Sequence, residues 1–411
     1  MSKQLNLVAY KAIAVFLLTC FAAPAWADAS MEDRLKAMEQ RLDSLEQENL
    51  TLKRQLQTTD QKVEVTGEQI DKIATQGVPS KAAWAEKTQF GGYGEMSLNQ
   101  LHNGGPSGNV NQIDFTRFVL FTGHEFNDQL SFRSELEVEH AHLEGNKGEL
   151  EVEQAYLNYN FNDRLSGRAG IILVPVGILN ETHEPPTFYG VDRNPVETNI
   201  IPTTWFESGA GLTTHLGSGF TVDSTVTTGF KADAADNYGV REARQEQFQG
   251  TLARNPAYTA RLKWAGIPGV ELASTVQYQA DITQGLDATA GGAILLETHA
   301  VLNRGPFALK ALYANWNLKG SGPASVGANK QNGWYVEPAY KFSEQWGVFA
   351  RYNRWDNQAG DVIDSRFSQS NLGVNYWPHP DVVVKFDVQN QKSPAGQDAF
   401  NGFNVGLGYQ F

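Results

Sequence analysis

From Phe90 to the end of the chain the hydrophobic positions recur every second residue. Leu130, Phe132, Leu136 and Val138 alternate with Ser131, Arg133, Glu135 and Glu137; Tyr258, Ala260, Leu262 and Trp264 alternate with Thr259, Arg261 and Lys263. Val382, Val384, Phe386 and Val388 alternate with Val383, Lys385, Asp387 and Gln389, and Phe403, Val405, Leu407, Tyr409 and Phe411 with Asn404, Gly406, Gly408 and Gln410. A period of two describes strands with one apolar face and one face of charges, amides and glycines. A water-soluble sandwich alternates in the same way, so the connections must decide. Short turns at Asn127-Asp128, Asn162-Asp163, Gly217-Ser218, 267–269, 304–306, 343–345 and 379–381 separate longer polar loops near 102–112, 142–148, 176–208, 231–256, 282–292, 319–332, 356–368 and 393–401. Short turns on one side and long loops on the other are the grammar of an antiparallel membrane barrel. The pattern predicts an all-β transmembrane β-barrel of about 16 antiparallel strands, with both ends on the periplasmic side. The last strand closes on the first, near Phe90, because an unpaired backbone edge is very costly in lipid. Phe90, Tyr93, Phe126, Phe161, Phe230, Phe342, Trp346, Trp377 and Phe411 fall near strand ends, where interfacial girdles are expected.

A different period precedes the barrel. Leu35, Leu42, Asn49, Leu56, Val63 and Ile70 occupy the a positions of a heptad. A seam that narrow needs a partner helix, and a polar Asn at one a position sets register and oligomeric state. The expected organisation is an export signal over 1–27, an α-helical coiled coil over 28–74, a linker over 75–88 and the barrel over 89–411. The signal shows Lys3 and Lys11, an apolar run from Ala12 to Ala23 and the small-x-small site Ala25-Trp26-Ala27. The single cysteine, Cys20, lies inside it, so the mature chain would lack thiol and disulfide chemistry. Removing two basic and no acidic residues takes the formal charge from -13 to -15, which excludes a nucleic-acid binder.

One loop is out of scale, "VPVGILNETHEPPTFYGVDRNPVETNIIPTTWFESG" from Val174 to Gly209. A long connection without regular structure is usually functional. Stiffened by five prolines and folded inward, this one would narrow a wide water channel. Its candidate constriction residues are Glu181, His183, Glu184, Asp192, Arg193 and Glu197. Taking faces from the alternation, the lumenal wall carries the bases Arg117, Arg133, Arg168, Arg261, Lys263, Lys310, Lys341, Arg351 and Lys385. It also carries the acids Glu135, Glu137, Glu139, Asp223, Glu271, Glu297, Glu337 and Asp387. Guanidinium and ammonium groups in file can replace part of an anion's hydration; alternatively the charges pair across strands and keep the lumen wet. His140 and His142 share a strand face and His183 adjoins Glu184, but neither pair is read as a metal site. With no G-x-S-x-G nucleophile motif and no acid–base constellation, no catalysis and no cofactor are expected.

The stretches "DFTRFVLFTGHEFND", "SFRSELEVEHAHLEGNKGELEVEQAYLNYNF", "VPVGILNETHEPPTFYGVDRN" and "NIIPTTWFESGAGL" resemble the phosphate-selective porin O and P family. The resemblance spans roughly Phe90 to Phe411 and is strongest over Asp114 to Leu212. It implies a sixteen-stranded barrel, a homotrimer, an inward third loop and passive passage of anions past basic residues. The expected setting is the outer membrane of a Gram-negative bacterium, in contact with lipid and lipopolysaccharide. Small anionic or neutral solutes would be passengers, and peptidoglycan is a candidate partner of the periplasmic coiled coil. The competing expectation is a structural protein, with the coiled coil as a tether to the cell wall and a barrel of little or no pore activity.

Overall fold

The computed structural model describes residues 84–140, 148–245 and 250–411. The export signal, the coiled coil, most of the linker and His142 lie outside the described residues. Sixteen strands follow one another: β1 (Thr88–Asn103), β2 (Val110–Glu125), β3 (Leu130–Glu139), β4 (Leu150–Asn162), β5 (Leu165–Leu173), β6 (Phe206–Gly217), β7 (Phe220–Thr227) and β8 (Ala257–Ile267) form the first half. β9 (Val270–Gln279), β10 (Ala290–Arg304), β11 (Phe307–Gly320), β12 (Lys330–Lys341), β13 (Trp346–Asp356), β14 (Phe367–His379), β15 (Val382–Lys392) and β16 (Phe400–Gln410) form the second. Each pairs antiparallel with the next, and β1 pairs with β16 from Tyr93↔Gln410 to Asn103↔Phe400, closing the barrel. Phe411 continues that seam: its N–H reaches the Gly92 carbonyl at 2.9 Å and its carbonyl accepts from the Gly92 N–H at 3.0 Å.

The two faces of the strands have opposite chemistry. Leu136, Leu262, Val276, Val384 and Phe386 point outward and are exposed, while Glu137, Arg261, Thr275, Lys385 and Asp387 beside them are buried. An apolar belt around an entire barrel far exceeds any patch a water-soluble monomer tolerates, and it matches the hydrocarbon of a bilayer. Most of the expected girdle aromatics are outward, among them Phe90, Phe126, Phe161, Phe342, Trp346 and Phe411. Tyr93, Phe230 and Trp377 are not. Tyr93 lies on the inward parity of β1 beside His183, Phe230 stacks on Trp205 at 4.6 Å between centroids, and Trp377 meets Tyr189 edge-on. All three are captured by the loop that enters the barrel.

That loop gives the barrel an apolar interior on one side. Val174, Val176, Ile178, Ile200, Ile201 and Trp205 pack with Phe230 and Ile282 against Leu295, Leu312, Trp316 and Tyr335 of β10–β12. These strands carry apolar residues on both faces, one toward lipid and one toward the loop.

Candidate functional site: the inward loop and the lumenal wall

The segment from Val174 to Trp205 leaves β5 early and returns to β6 through a closed neck. The Val174 N–H donates to the Trp205 carbonyl at 3.0 Å. Between them the Asn180 amide donates to the Val174 and Trp205 carbonyls at 2.7 and 3.0 Å, and its oxygen accepts from the Trp205 N–H at 2.5 Å. A short 3-10 turn, Pro185–Thr187, and one helical turn, α1 (Val196–Asn199), punctuate the run.

Glu197 holds the interior of the loop together. One carboxylate oxygen accepts from the Ile178 and Leu179 N–H groups at 2.6 and 2.7 Å. The other accepts from the Asn194 amide at 3.0 Å and from the Tyr335 hydroxyl of β12 at 2.8 Å. Gly177 permits this approach: its φ is +79°, and a Cβ there would sit 2.6 Å from the Glu197 oxygen.

The loop is stitched to the wall on several sides. Arg261 of β8 pairs with Glu181 of the loop and with Asp223 of β7, the latter at 2.8 Å. Arg351 of β13 pairs with Glu337 of β12 at 3.1 Å and donates to the Tyr189 and Asp192 carbonyls at 3.3 Å each. Trp316 donates to the Ile200 carbonyl at 3.0 Å, Asn375 to that of Phe188 at 3.1 Å and Trp377 to that of Pro186 at 3.2 Å. The Val191 N–H donates to Asp387 at 2.8 Å, and the Lys385 ammonium lies 3.4 Å from the Phe188 ring centroid. Burial and the Glu337 charge raise the Tyr189 phenol to about 12.

On the β3–β4 side the contact is ionic. His183 is buried, with Nε2 3.8 Å from Glu135 and 3.7 Å from Glu153. Burial opposes an imidazolium there, but the Glu135 and Glu153 carboxylates outweigh it and hold the ring's pKa up to about 10. Arg117 of β2 lies nearby, 2.6 Å from Glu95 and 3.8 Å from Glu137.

A cavity of about 390 Å³ remains between the β1–β4 wall and the inward loops. Glu95, Glu137, Glu139, Glu149, Glu151, Glu153 and Asp192 line it, and so do Arg117, Arg193, Arg241, Arg244 and Lys385. Most of its acids belong to the wall, and three of its arginines come from the loops. Opposed charges across a confined space focus a transverse field.

The nine bases expected on the wall do not form one file. Arg117 and Lys385 reach this cavity. Arg261 and Arg351 are buried beneath the loop and paired with carboxylates. Lys263 sits 3.9 Å from Glu271, Lys341 lies over the Trp377 ring, and Lys310 shares a register position with Glu337. Arg168 is half-buried and reaches the Leu173 carbonyl at 3.5 Å, and Arg133 is exposed near the short-turn end of β3. Of the loop candidates, Asp192 and Arg193 line the cavity, whereas Glu181 and Glu197 are tied down by Arg261 and the loop backbone. His183 is the loop's contact to β3–β4, and half-buried Glu184 is the residue before the 3-10 turn. Sequence reasoning missed Glu95, Glu153, Arg241 and Arg244. The two arginines are placed by loop folding, and Glu95 and Glu153 lie at the bulges at Glu95/Ser97 and Glu135/Leu136, none of which the alternation signals.

The family profile for "Phosphate-selective porin O and P" matches residues 91–411, all of the barrel but the first three residues of β1. The chain belongs to this family. An uncharacterized protein of Aquifex aeolicus is 30% identical over 342 residues, covering 72% of this chain and 74% of that protein. An anion-selective porin from Comamonas acidovorans superposes with a TM-score of 0.57 at 13% identity, covering 79% of this chain and 99% of that one. The trimer form of OmpT, an outer-membrane protein of Vibrio cholerae, gives 0.52 at 12% identity with coverages of 79% and 99%. The likeness to these structures is one of fold. Family and barrel together make the chain an outer-membrane porin, and both are those of a channel rather than an enzyme.

Proposed function

We propose that this porin is a water-filled channel for passive diffusion of small hydrophilic solutes, with a modest preference for anions. The observation that carries the reading is the inward loop anchored to the wall, which leaves a charged cavity rather than a filled lumen. Arg193 and Lys385 border that cavity, and their buried Nε, Nη2 and Nζ atoms have no hydrogen-bond partner. The charge of these two side chains is what a phosphate-like or carboxylate passenger would meet. The preference is modest because Arg117, Arg261 and Arg351 spend their charge on wall and loop carboxylates, and because acids line the same space. The porin O and P family and the anion-selective relative in Comamonas support the same direction. The channel works as a homotrimer, with the coiled coil on the periplasmic side fixing subunit number.

Reversal potential in a planar bilayer under a potassium chloride gradient tests the selectivity. The expected sign is that of chloride preference, and Arg193→Ala with Lys385→Ala moves it toward zero. A cation-selective wild type refutes the anion preference.

A further inference from the structure

We propose that Glu135, Glu153 and His183 form a binding site for a divalent cation of the zinc class, which clips the inward loop to the β3–β4 wall. One ligand atom from each residue lies within 4.8 Å of the others, and all three side chains are buried. A triangle with sides of 3.7, 3.8 and at most 4.8 Å has its circumcentre at most about 2.4 Å from each corner, within a few tenths of an ångström of zinc–ligand distances.

The donors are prepared for a cation in three ways. His183 Nδ1 faces the Asn180 carbonyl at 3.2 Å, so when the ring gives up its second proton the free ligand atom is Nε2, the nitrogen turned to the carboxylates. A ligand histidine fixed through its other nitrogen by a carbonyl is the usual outer-shell arrangement. His183 Nε2 and Glu153 Oε2 have no hydrogen-bond partner, although His183 is 4% exposed and Glu153 1%. Gln154 donates to the far oxygen of Glu135 and orients its carboxylate.

Local charge favours a cation as well. The nearby Arg117 guanidinium is taken up by Glu95 at 2.6 Å and Glu137 at 3.8 Å, which leaves the Glu135 and Glu153 carboxylates to the site. Glu153 also lines the 390 Å³ cavity, which gives the ion an aqueous entry path and a place for a water ligand. One imidazole and two carboxylates select the zinc class over calcium or magnesium, which take more donors and prefer oxygen alone. The competing occupant is a proton, which would make His183 an imidazolium bridging the same two carboxylates.

Untagged full-length protein in detergent, stripped with chelator, is titrated with Zn²⁺ by calorimetry and with Co²⁺ by visible absorption. The expected result is one ion per barrel and Co²⁺ d–d bands, with no competition from an equal concentration of Ca²⁺. His183→Gln and Glu153→Gln each weaken binding by more than the roughly 10- to 100-fold that loss of an outer-shell partner costs. His140→Gln, which alters the exposed contact to Asp114, leaves it unchanged. Absence of ion uptake by the folded wild type assigns the site to the proton and overturns the proposal. So does binding that survives His183→Gln or disappears in His140→Gln.

Discussion

Glu197→Ala is the sharpest perturbation of the loop that leaves the barrel itself alone. The Glu197 carboxylate accepts four hydrogen bonds, from two backbone N–H groups, Asn194 and Tyr335, and is fully buried. Alanine leaves those four donors without an acceptor. Water entering from the lumen rehydrates part of the site, so the lower end of the unsatisfied-donor cost is appropriate, roughly 1 kcal/mol each. The loop then loses about 4 kcal/mol of anchoring, close to three decades in the equilibrium between docked and undocked loop. None of the sixteen strand pairings involves Glu197. The expected phenotype is a heat-modifiable barrel that migrates like wild type, a larger or flickering single-channel conductance, and new protease cleavage within 174–205. Glu197→Gln keeps one acceptor oxygen and falls in between. If Glu197→Ala has the conductance and protease resistance of wild type, the carboxylate is not the anchor and the stitches through Arg351, Trp316 and Trp377 suffice.

Further outcomes concern lipid, selectivity and assembly. Val276→Lys places a charge on the outward face of β9, where it costs about 2–4 kcal/mol near the bilayer midplane, and the fraction folded into vesicles should fall on gel-shift assay. Arg133→Ala removes an exposed base and should lower anion conductance with the loop intact. Arg261→Ala strips Glu181 and Asp223 of their shared partner and should instead make the loop protease-sensitive. Removing residues 31–73 should abolish stable trimers on native gels while monomer conductance persists; loss of all conductance would favour a tether with a closed barrel.

The barrel was legible because lipid imposes a rule on every second residue. Val384, Phe386 and Val388 had to face outward, and Lys385 and Asp387 inward, once Gly217-Ser218 and its like were read as short turns. Strand count and both kinds of connection follow from that rule. The interior obeys no such rule. Leu295, Leu312 and Trp316 sit at inward positions and break the polar alternation, because they meet the loop rather than water. The alternation therefore put bases and acids on one wall without telling free charges from paired ones, and Arg261 and Arg351 prove to be covered and paired. The inward loop itself was legible from its length and prolines. Its internal order was not, since the bonds that Glu197 and Asn180 make depend on chain reversal, which leaves no periodic trace. Glu153 was hidden for a local reason: the bulge at Glu135/Leu136 shifts the register between β3 and β4, so cross-strand neighbours cannot be counted from the turn.

Single-channel recording of the purified full-length protein in a planar bilayer tests the account most directly. A narrowed but open lumen in each subunit of the proposed trimer predicts discrete conductance steps that occur in threes. A protein that inserts as a folded barrel and yet never conducts would contradict it, because the loop would then fill the lumen instead of narrowing it.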